Sequence, residues 1–215
     1  MRNHKRLLEN VKDIKPILDE LNNATWNQAL GSSKYKDEYK SGKIQNNFKD
    51  AKSLYLIRKD GTSNVLWNQD FTNKNKEWFK DTKSLYLIRK DGRVSPAEPL
   101  FINTKKFLKQ FINDFDGKLA SVVFYKLKGK SGVGKHIDSG EYYEDKDRFH
   151  LVIKGRYRYT VNEVHPYLGK ESVIYNEGEL WWFNNKKPHE SWNFTREERI
   201  ILVFDVSQSN WRSKI

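Results

Sequence analysis

The second half of the chain alternates short β-type segments with turns, and this pattern restricts the possible folds more than any other feature. From Ser121 the apolar period is two, and the segments RFHLVIK, RYRYTV, SVIY, ELWWF and RIILVFDV then follow. Short strands at regular spacing with turn residues between them are typical of a β-sandwich or a jelly roll. The last segment is apolar on both faces, which predicts a strand in the interior of the layered structure.

Helical periodicity is found in two regions that precede these strands. Apolar residues recur at helical spacing over residues 7–21, where Pro16 marks a kink or a second helix start. Phenylalanines recur every four residues over residues 107–115, and this helix is predicted to end near Gly117. We therefore expect a mainly β protein of the α+β type, with N-terminal and flanking helices.

One segment is repeated without change. The residues KSLYLIRKDG occur at 52–61 and again at 83–92, and each copy has the alternation of a strand that ends in an Asp-Gly turn. Two copies are too few for a solenoid, so we interpret them as a tandem duplication of a native strand and an added strand or insertion. The predicted division is an N-terminal helical extension at 1–50, the duplicated motif and a packing helix at 51–118, and a jelly-roll core at 119–215.

Composition excludes several classes of site and of partner. The chain of 215 residues has no cysteine, which rules out disulfides, thiolate metal sites and a cysteine nucleophile. It has no signal-type apolar start and no run long enough to cross a bilayer, so we expect a soluble cytoplasmic protein. The formal net charge of +12 favours anionic partners. No basic block with interleaved aromatic residues stands out, so nucleic-acid binding is possible but not favoured.

Three polar side chains form a candidate metal site. His136 and Asp138 are two residues apart on an extended segment, so both reach the same point in space. His189 follows the ELWWF strand and a turn that can return the chain to the same end of the structure. Two imidazoles and one carboxylate suit non-haem Fe(II) and dioxygen, although zinc or manganese accepts the same ligands. His165 receives no role, and His4 is expected to be exposed.

A single arginine suggests what else this site binds. Arg199 lies ten residues after His189, and its neighbours in the strand are apolar. An arginine side chain that points into the protein interior needs an anionic partner. A guanidinium at this position can hold the far carboxylate of a dicarboxylate whose other end chelates the metal.

Taken together, KLKGKSGVGKHID, RFHLVIKG and GELWWFNNKKPHESWNFTREERIILVFDV resemble the aspartyl/asparaginyl β-hydroxylase family of Fe(II)- and 2-oxoglutarate-dependent oxygenases. The likeness extends over roughly residues 80–207 and depends on order and spacing: His-x-Asp, Arg-x-His, Gly-Glu-x-Trp, a His with Asn four later, then Arg-x-x-Leu-x-x-Asp. It implies a double-stranded β-helix, which is a cupin-like jelly roll. It also implies Fe(II), with 2-oxoglutarate and dioxygen as cosubstrates.

The resemblance assigns the principal site residues. His136, Asp138 and His189 match the iron positions, and Arg199 matches the arginine that pairs with a carboxylate of 2-oxoglutarate. The animal peptide hydroxylases of the family have no carboxylate at the second iron position. Asp138 therefore implies a complete facial triad in this chain.

Four further positions match the family, and Tyr125 departs from its pattern. His150 matches a histidine that contacts 2-oxoglutarate, and Tyr125 stands where the animal enzymes have a small hydroxyl residue contacting the same cosubstrate. Arg148 matches an arginine that faces the substrate. Asn193 and Asp205 fit positions with a structural role.

The resemblance implies hydroxylation of an unactivated C–H bond, with an anionic substrate favoured by Arg148 and the basic surface. An aspartyl or asparaginyl residue of a peptide is the first hypothesis, and a free amino acid or another small acid is the second. The membrane anchor and helical repeats of the animal enzymes are not expected here.

A hypothesis from another class is a non-catalytic basic β-barrel module that binds nucleic acid. In that case Tyr142, Tyr143, Tyr157 and Tyr159 are expected to be exposed and to stack on bases.

Overall fold

The structure is a computed structural model that describes residues 3–12, 14–22, 24, 27–28, 82–88, 90, 92, 94–95, 100–162 and 170–214. His165 and the first copy of KSLYLIRKDG lie outside these residues.

Two antiparallel sheets make up most of the described part of the chain. Their strands are β1 (His4–Leu8), β2 (Asn27–Gln28), β3 (Thr82–Ile88), β4 (Lys118–Leu127), β5 (Ser131–His136), β6 (Lys146–Lys154), β7 (Tyr157–Asn162), β8 (Lys170–Tyr175), β9 (Leu180–Phe183), β10 (His189–Asn193) and β11 (Arg199–Ser207). The larger sheet has the order β1-β9-β6-β11-β4-β3-β2, and the smaller sheet has the order β5-β10-β7-β8. This is the cupin-like jelly roll, or double-stranded β-helix, that the sequence predicted.

The space between the sheets is filled by an aromatic and aliphatic core. Tyr157 and Tyr159 of the smaller sheet pack with Phe183, Ile201 and Val203 of the larger sheet. β11 packs Ile201 and Val203 into this core and its alternate residues, such as Leu202 and Phe204, into the core on the outer face of the sheet, which explains why both of its faces are apolar.

A second core lies on the outer face of the larger sheet, and the described residues form four helices: α1 (Ile14–Leu21), α2 (Ile102–Phe115), α3 (Glu141–Glu144) and α4 (Trp211–Lys214). Of these, α1, α2 and α4 contribute buried residues to that core. The Phe111 ring of α2 lies 4.8 Å from Phe149 and 4.9 Å from Phe204, measured between ring centroids. The predicted α2 is thus confirmed, and it ends before Gly117, whose φ of +105° favours glycine. None of the described helices combines the length and the hydropathy that crossing a membrane requires.

The predicted N-terminal helix is correct in its second part and wrong in its first. Residues 4–8 form strand β1, which pairs with β9 at the edge of the larger sheet. The helix begins at Ile14, so Pro16 lies in its first turn, where proline is tolerated. The expectation that His4 is exposed is also wrong, because the residue is only 4% exposed and its Nδ1 lies 2.7 Å from the Tyr175 hydroxyl. Pairing of residues 4–8 with the distant strand β9 therefore decided their conformation, against the helical pattern of apolar residues in the local sequence.

The second copy of KSLYLIRKDG supplies most of β3, so the predicted strand is confirmed for this copy. β3 lies between β2 and β4, and its Leu85 and Leu87 are buried. The division of the chain at residues 50 and 118 stays a prediction. Strands β1 and β3, which both precede residue 118, complete the same sheet as the core strands.

The tyrosines considered as a base-stacking surface are mostly interior. Tyr143, Tyr157 and Tyr159 are only 7%, 0% and 5% exposed, which leaves Tyr142 as the one partly accessible member of that group. The expectation of an exposed aromatic surface is therefore wrong, since alternation along β7 directs Tyr157 and Tyr159 into the inter-sheet core.

Candidate metal centre

The structure brings the three predicted metal ligands together at one end of the sheet sandwich. β5 ends at His136, β10 begins at His189, and these two residues are partners in the antiparallel pairing of the two strands. Their ring centroids are 4.2 Å apart. One candidate ligand atom from each of His136, Asp138 and His189 lies within 4.8 Å of the other two. Two imidazoles and one carboxylate are a donor set that suits a divalent transition metal.

Hydrogen bonds to backbone carbonyls determine which imidazole nitrogen is available. His136 Nδ1 lies 2.7 Å from the Gly134 carbonyl oxygen, and His189 Nδ1 lies 2.8 Å from that of Lys187. A carbonyl oxygen only accepts, so both Nδ1 atoms carry a proton and Nε2 is the nitrogen through which each ring can bind a metal. Burial lowers the pKa of His189 to about 4, against the smaller opposing effect of Asp138. His189 is therefore neutral at pH 7, as a metal ligand must be.

The Asp138 carboxylate is held through one of its oxygens. Its Oδ2 accepts hydrogen bonds from Arg148 Nη1 at 2.7 Å and from Asn185 Nδ2 at 3.2 Å. Burial on its own raises the pKa of Asp138, but the Arg148 guanidinium, followed by His189 and His136, outweighs burial and holds this pKa well below its usual range. Every hydrogen bond that described side chains make to this carboxylate goes to Oδ2, which leaves Oδ1 for a metal ion.

Arg199 points into the inter-sheet space and is only 3% exposed. Its Nη2 donates to Ser191 Oγ at 3.0 Å, and its guanidinium carbon lies 3.9 Å from the centroid of the Tyr157 ring. Its Nε and Nη1 are buried and have no hydrogen-bond partner among the described residues. Burial lowers the pKa of Arg199 from its ordinary value. Buried donors without acceptors are destabilising, so these donors favour an anion beside the guanidinium.

Aromatic residues connect the candidate ligands to Arg199. His150 Nδ1 lies 3.1 Å from the Tyr157 hydroxyl, and the His150 ring is 5.3 Å from that of Tyr159. The Tyr159 ring stacks on His189 at 5.8 Å. Burial, reinforced by the positive charges of Arg148 and Arg199, lowers the pKa of His150 well below its ordinary value, so this imidazole is neutral. Tyr125 packs against the same inter-sheet core from β4, opposite Ile201.

Residues 12–209 of the chain match the family described as Aspartyl/Asparaginyl beta-hydroxylase. This chain belongs to the aspartyl/asparaginyl β-hydroxylase family. Membership identifies an enzyme of the oxygenase-type hydroxylases, in agreement with the resemblance in the motifs. No curated protein matches the sequence.

Several solved structures resemble this hydroxylase at low sequence identity. An oxidoreductase of the 2OG-Fe(II) oxygenase family from Burkholderia pseudomallei is 15% identical, with a TM-score of 0.45 and coverage of 60% of this chain and 70% of that one. The Escherichia coli ribosomal oxygenase YcfD is 18% identical, with a TM-score of 0.41 and coverage of 61% and 33%. A predicted oxalate decarboxylase from Thermotoga maritima is 13% identical, with a TM-score of 0.37 and coverage of 59% and 80%. The match thus spans only a third of the ribosomal oxygenase.

In this hydroxylase, Arg148 does not point to an open substrate space. Its Nε and Nη2 donate to the two oxygens of Asp205 at 2.7 and 2.9 Å, and its Nη1 donates to Asp138. Burial on its own lowers the pKa of Arg148, but the two carboxylates outweigh burial and raise this pKa well above its ordinary value. The predicted role of Arg148 in substrate binding stays a prediction, and it concerns a guanidinium that already has two anionic partners.

Asn193 is a structural residue, as expected. Its Nδ2 donates to the carbonyl oxygens of Lys128 and Glu197 at 3.0 and 2.8 Å, which holds two turns of the hydroxylase together.

Three residues at the centre were not anticipated from the sequence. Ser191 is two residues after His189 on β10, so strand alternation places both side chains on the same face and could have indicated Ser191 as a site residue. Tyr157 on β7 follows the same alternation. Asn185 lies in the turn after β9, and its contact with Asp138 depends on a tertiary arrangement that no local pattern indicates.

Proposed function

We propose that this protein is an Fe(II)- and 2-oxoglutarate-dependent dioxygenase that hydroxylates an aspartyl or asparaginyl residue of a peptide or protein. One observation carries the proposal. The His136, Asp138 and His189 side chains converge, and the same inter-sheet space contains Arg199 with two buried donors that lack a partner among the described residues. Family membership supports the reaction class.

His136 and His189 would bind iron through Nε2, and Asp138 would bind it through Oδ1. This set contains two neutral ligands and one anionic ligand, so a divalent ion keeps a net positive charge that favours an anionic chelator. Three protein ligands on one face leave the remaining positions of an octahedral ion for other molecules. Zinc and manganese accept the same donors, and membership of the hydroxylase family favours Fe(II).

Arg199 would bind the distal carboxylate of 2-oxoglutarate. Nη1 and the second N–H of Nη2 lie on one edge of the guanidinium and can form the two parallel hydrogen bonds of a bidentate carboxylate pair. Ser191 accepts the other hydrogen of Nη2 and Tyr157 lies under the guanidinium, so the direction of this edge is restrained. His150 and Tyr125 complete the lining of the proposed cosubstrate site.

When bound, iron with dioxygen and 2-oxoglutarate supplies the oxidation that inserts one oxygen atom into a C–H bond and leaves succinate and carbon dioxide. The protein contributes position and the exclusion of water. The Nδ1 hydrogen bonds of His136 and His189 orient both rings. Tyr159 and Phe183, which are 5% and 1% exposed, exclude solvent from the side of His189 that faces the core.

The basic surface supports an acidic substrate. Lys135 and Lys186 are exposed and directly adjacent in sequence to His136 and Asn185, and the chain as a whole carries a net charge of +12. These cations favour a peptide with acidic side chains over a neutral small molecule. A free amino acid or other small acid is the second candidate, because it satisfies the same charge preference.

The proposal is tested in two stages. Anaerobic addition of Fe(II) and 2-oxoglutarate is expected to produce a visible charge-transfer band in the wild type. Aerobic incubation with peptides that contain Asp or Asn, or with free amino acids, should then give succinate and a product heavier by one oxygen atom in mass spectrometry. His189→Ala is expected to abolish both the band and succinate formation. Undiminished turnover in His189→Ala would remove the ligand assignment and with it the proposed function.

A further inference from the structure

A buried chain of ionic hydrogen bonds connects Asp138 to a second carboxylate on the central strand of the larger sheet. Arg148 Nη1 donates to Asp138 Oδ2 at 2.7 Å. The same guanidinium donates from Nε and Nη2 to the two oxygens of Asp205 at 2.7 and 2.9 Å. Asp138, Arg148 and Asp205 are only 9%, 7% and 1% exposed. These interactions are therefore screened little by solvent.

The sheet determines the direction of the guanidinium. Arg148 on β6 and Asp205 on β11 are direct partners in the antiparallel pairing of these strands. A bidentate pair fixes the plane of the guanidinium, so Nη1 can point only toward Asp138. The Tyr142 hydroxyl donates to Asp205 Oδ2 at 3.0 Å and restrains that carboxylate from the other side.

Charge gives Asp205 a second effect on Asp138. A lone arginine beside Asp138 would form a neutral pair and weaken this carboxylate as a metal ligand. With Asp205 present, two carboxylates share one guanidinium, and the group keeps one net negative charge for the metal. Arg148 thus holds Oδ2 in place, with Asn185 as the other donor, while Oδ1 keeps its capacity to bind.

We propose that Asp205 is a positioning residue for the metal ligand Asp138 and acts through Arg148. On this assignment the Arg148 guanidinium orients Asp138 and is not the group that recognises the substrate. The inference rests on the proposed function, because it takes Asp138 to be a ligand of the iron. Partners that orient metal ligands typically contribute 10- to 100-fold to metal affinity.

Asp147, on the opposite, outer face of the larger sheet, offers a matched control for the loss of a hydrogen-bonded carboxylate. Asp147 also accepts from an arginine, at 2.8 and 2.6 Å from Arg212, and from the indole nitrogens of Trp182 and Trp211 at 3.0 and 2.9 Å. These partners belong to the outer side of the larger sheet and make no contact with the candidate ligands. Asp147→Asn therefore removes a similar carboxylate without disturbing Asp138.

The test is a Co(II) titration of the chelator-treated protein, followed by visible absorption of the bound ion. Asp205→Asn is expected to weaken Co(II) binding by about 10- to 100-fold and to change the intensity of the cobalt bands. Asp147→Asn is expected to bind Co(II) with the affinity and spectrum of the wild type, even where its melting temperature falls. Wild-type affinity and spectrum in a folded Asp205→Asn protein would overturn the inference.

Arg148→Lys decides the case in which Asp205→Asn does not fold. A lysine retains one positive charge between the two carboxylates but lacks the planar fork that joins them. Weaker Co(II) binding in this variant supports a positioning role, and unchanged binding overturns that role. Failure of the proposed function is separately visible, because the wild type would then bind no Co(II) or His189→Ala would bind it as tightly.

Discussion

His136 and His189 face each other as paired residues of β5 and β10, with their ring centroids 4.2 Å apart. Two of the three candidate ligands are thus positioned by strand pairing within one sheet. The third, Asp138, lies two residues beyond the end of β5 and is held by Arg148 and Asn185. A metal ion at this point would connect a strand pair to the buried ionic chain of the larger sheet.

Metal binding is therefore expected to stabilise the fold. A ligand present at about 100 times its dissociation constant adds about 2.7 kcal/mol to the free energy of unfolding. For a domain of this size that corresponds to an increase of roughly 5–10 °C in the melting temperature. Differential scanning fluorimetry with Mn(II) or Co(II) should show this increase in the wild type and not in Asp138→Ala or His189→Ala. His4→Gln, which alters a histidine outside the triad, should keep the full increase.

Gly132→Ala is expected to damage the site without changing any ligand. A Cβ atom at Gly132 would lie 2.6 Å from the Ser191 carbonyl oxygen and 2.7 Å from Trp192 Cε3, so β5 would have to move away from β10. Strain of this kind typically costs about 1–3 kcal/mol. Weaker Co(II) binding together with a lower free energy of unfolding in urea would agree with this view. Lys135→Ala, an exposed change on the same strand, should leave both quantities near the wild-type values.

Arg199→Met should separate cosubstrate binding from stability. Loss of a buried charge pair with 2-oxoglutarate costs about 2–5 kcal/mol, which raises the KM for 2-oxoglutarate roughly 30-fold or more. Without the cosubstrate the guanidinium is buried with two unpaired donors, so a thioether of similar volume should leave the free energy of unfolding unchanged or raise it by about 1–2 kcal/mol. A large loss of stability with an unchanged KM would instead make Arg199 a structural residue.

The metal-free protein should lose stability in mild acid. Burial lowers the pKa of His4, His150 and His189, whereas all three titrate near 6.5 in the unfolded chain. Between the folded and unfolded pKa values the unfolded state binds more protons. The stability from each neutral histidine is therefore complete above about pH 7 and is lost as the pH falls below about 6.5, by up to about 1.4 kcal/mol per pH unit.

Urea unfolding at several pH values, with a chelator present, measures this slope. His4→Gln should give a shallower slope than the wild type, because one of the three histidines no longer contributes. Asp138 does not interfere, since its pKa lies well below this range. An identical slope in His4→Gln would show that His4 does not titrate differently in the folded and unfolded states.

Local sequence patterns predicted the features that depend on a residue and its near neighbours. The period of two gave the strands and placed His136 and Asp138 on one side, and the period of four gave α2. The apolar surroundings of Arg199 along RIILVFDV indicated an inward guanidinium, and the structure buries it. These features follow from backbone geometry, which repeats over a few residues in any context.

Residues far apart in the chain decided the rest. The residues of β1 form a strand because they pair with β9 at the edge of the larger sheet, although the local pattern of apolar residues predicted a helix. Arg148 meets Asp205, 57 residues later, only because β6 and β11 are neighbours in the larger sheet. The sequence by itself determined which residue types could form a metal centre. Only the tertiary structure decided which donors are already paired, as at Arg148, and which remain unpaired, as at Arg199, because hydrogen bonds across a sheet depend on strand order and register.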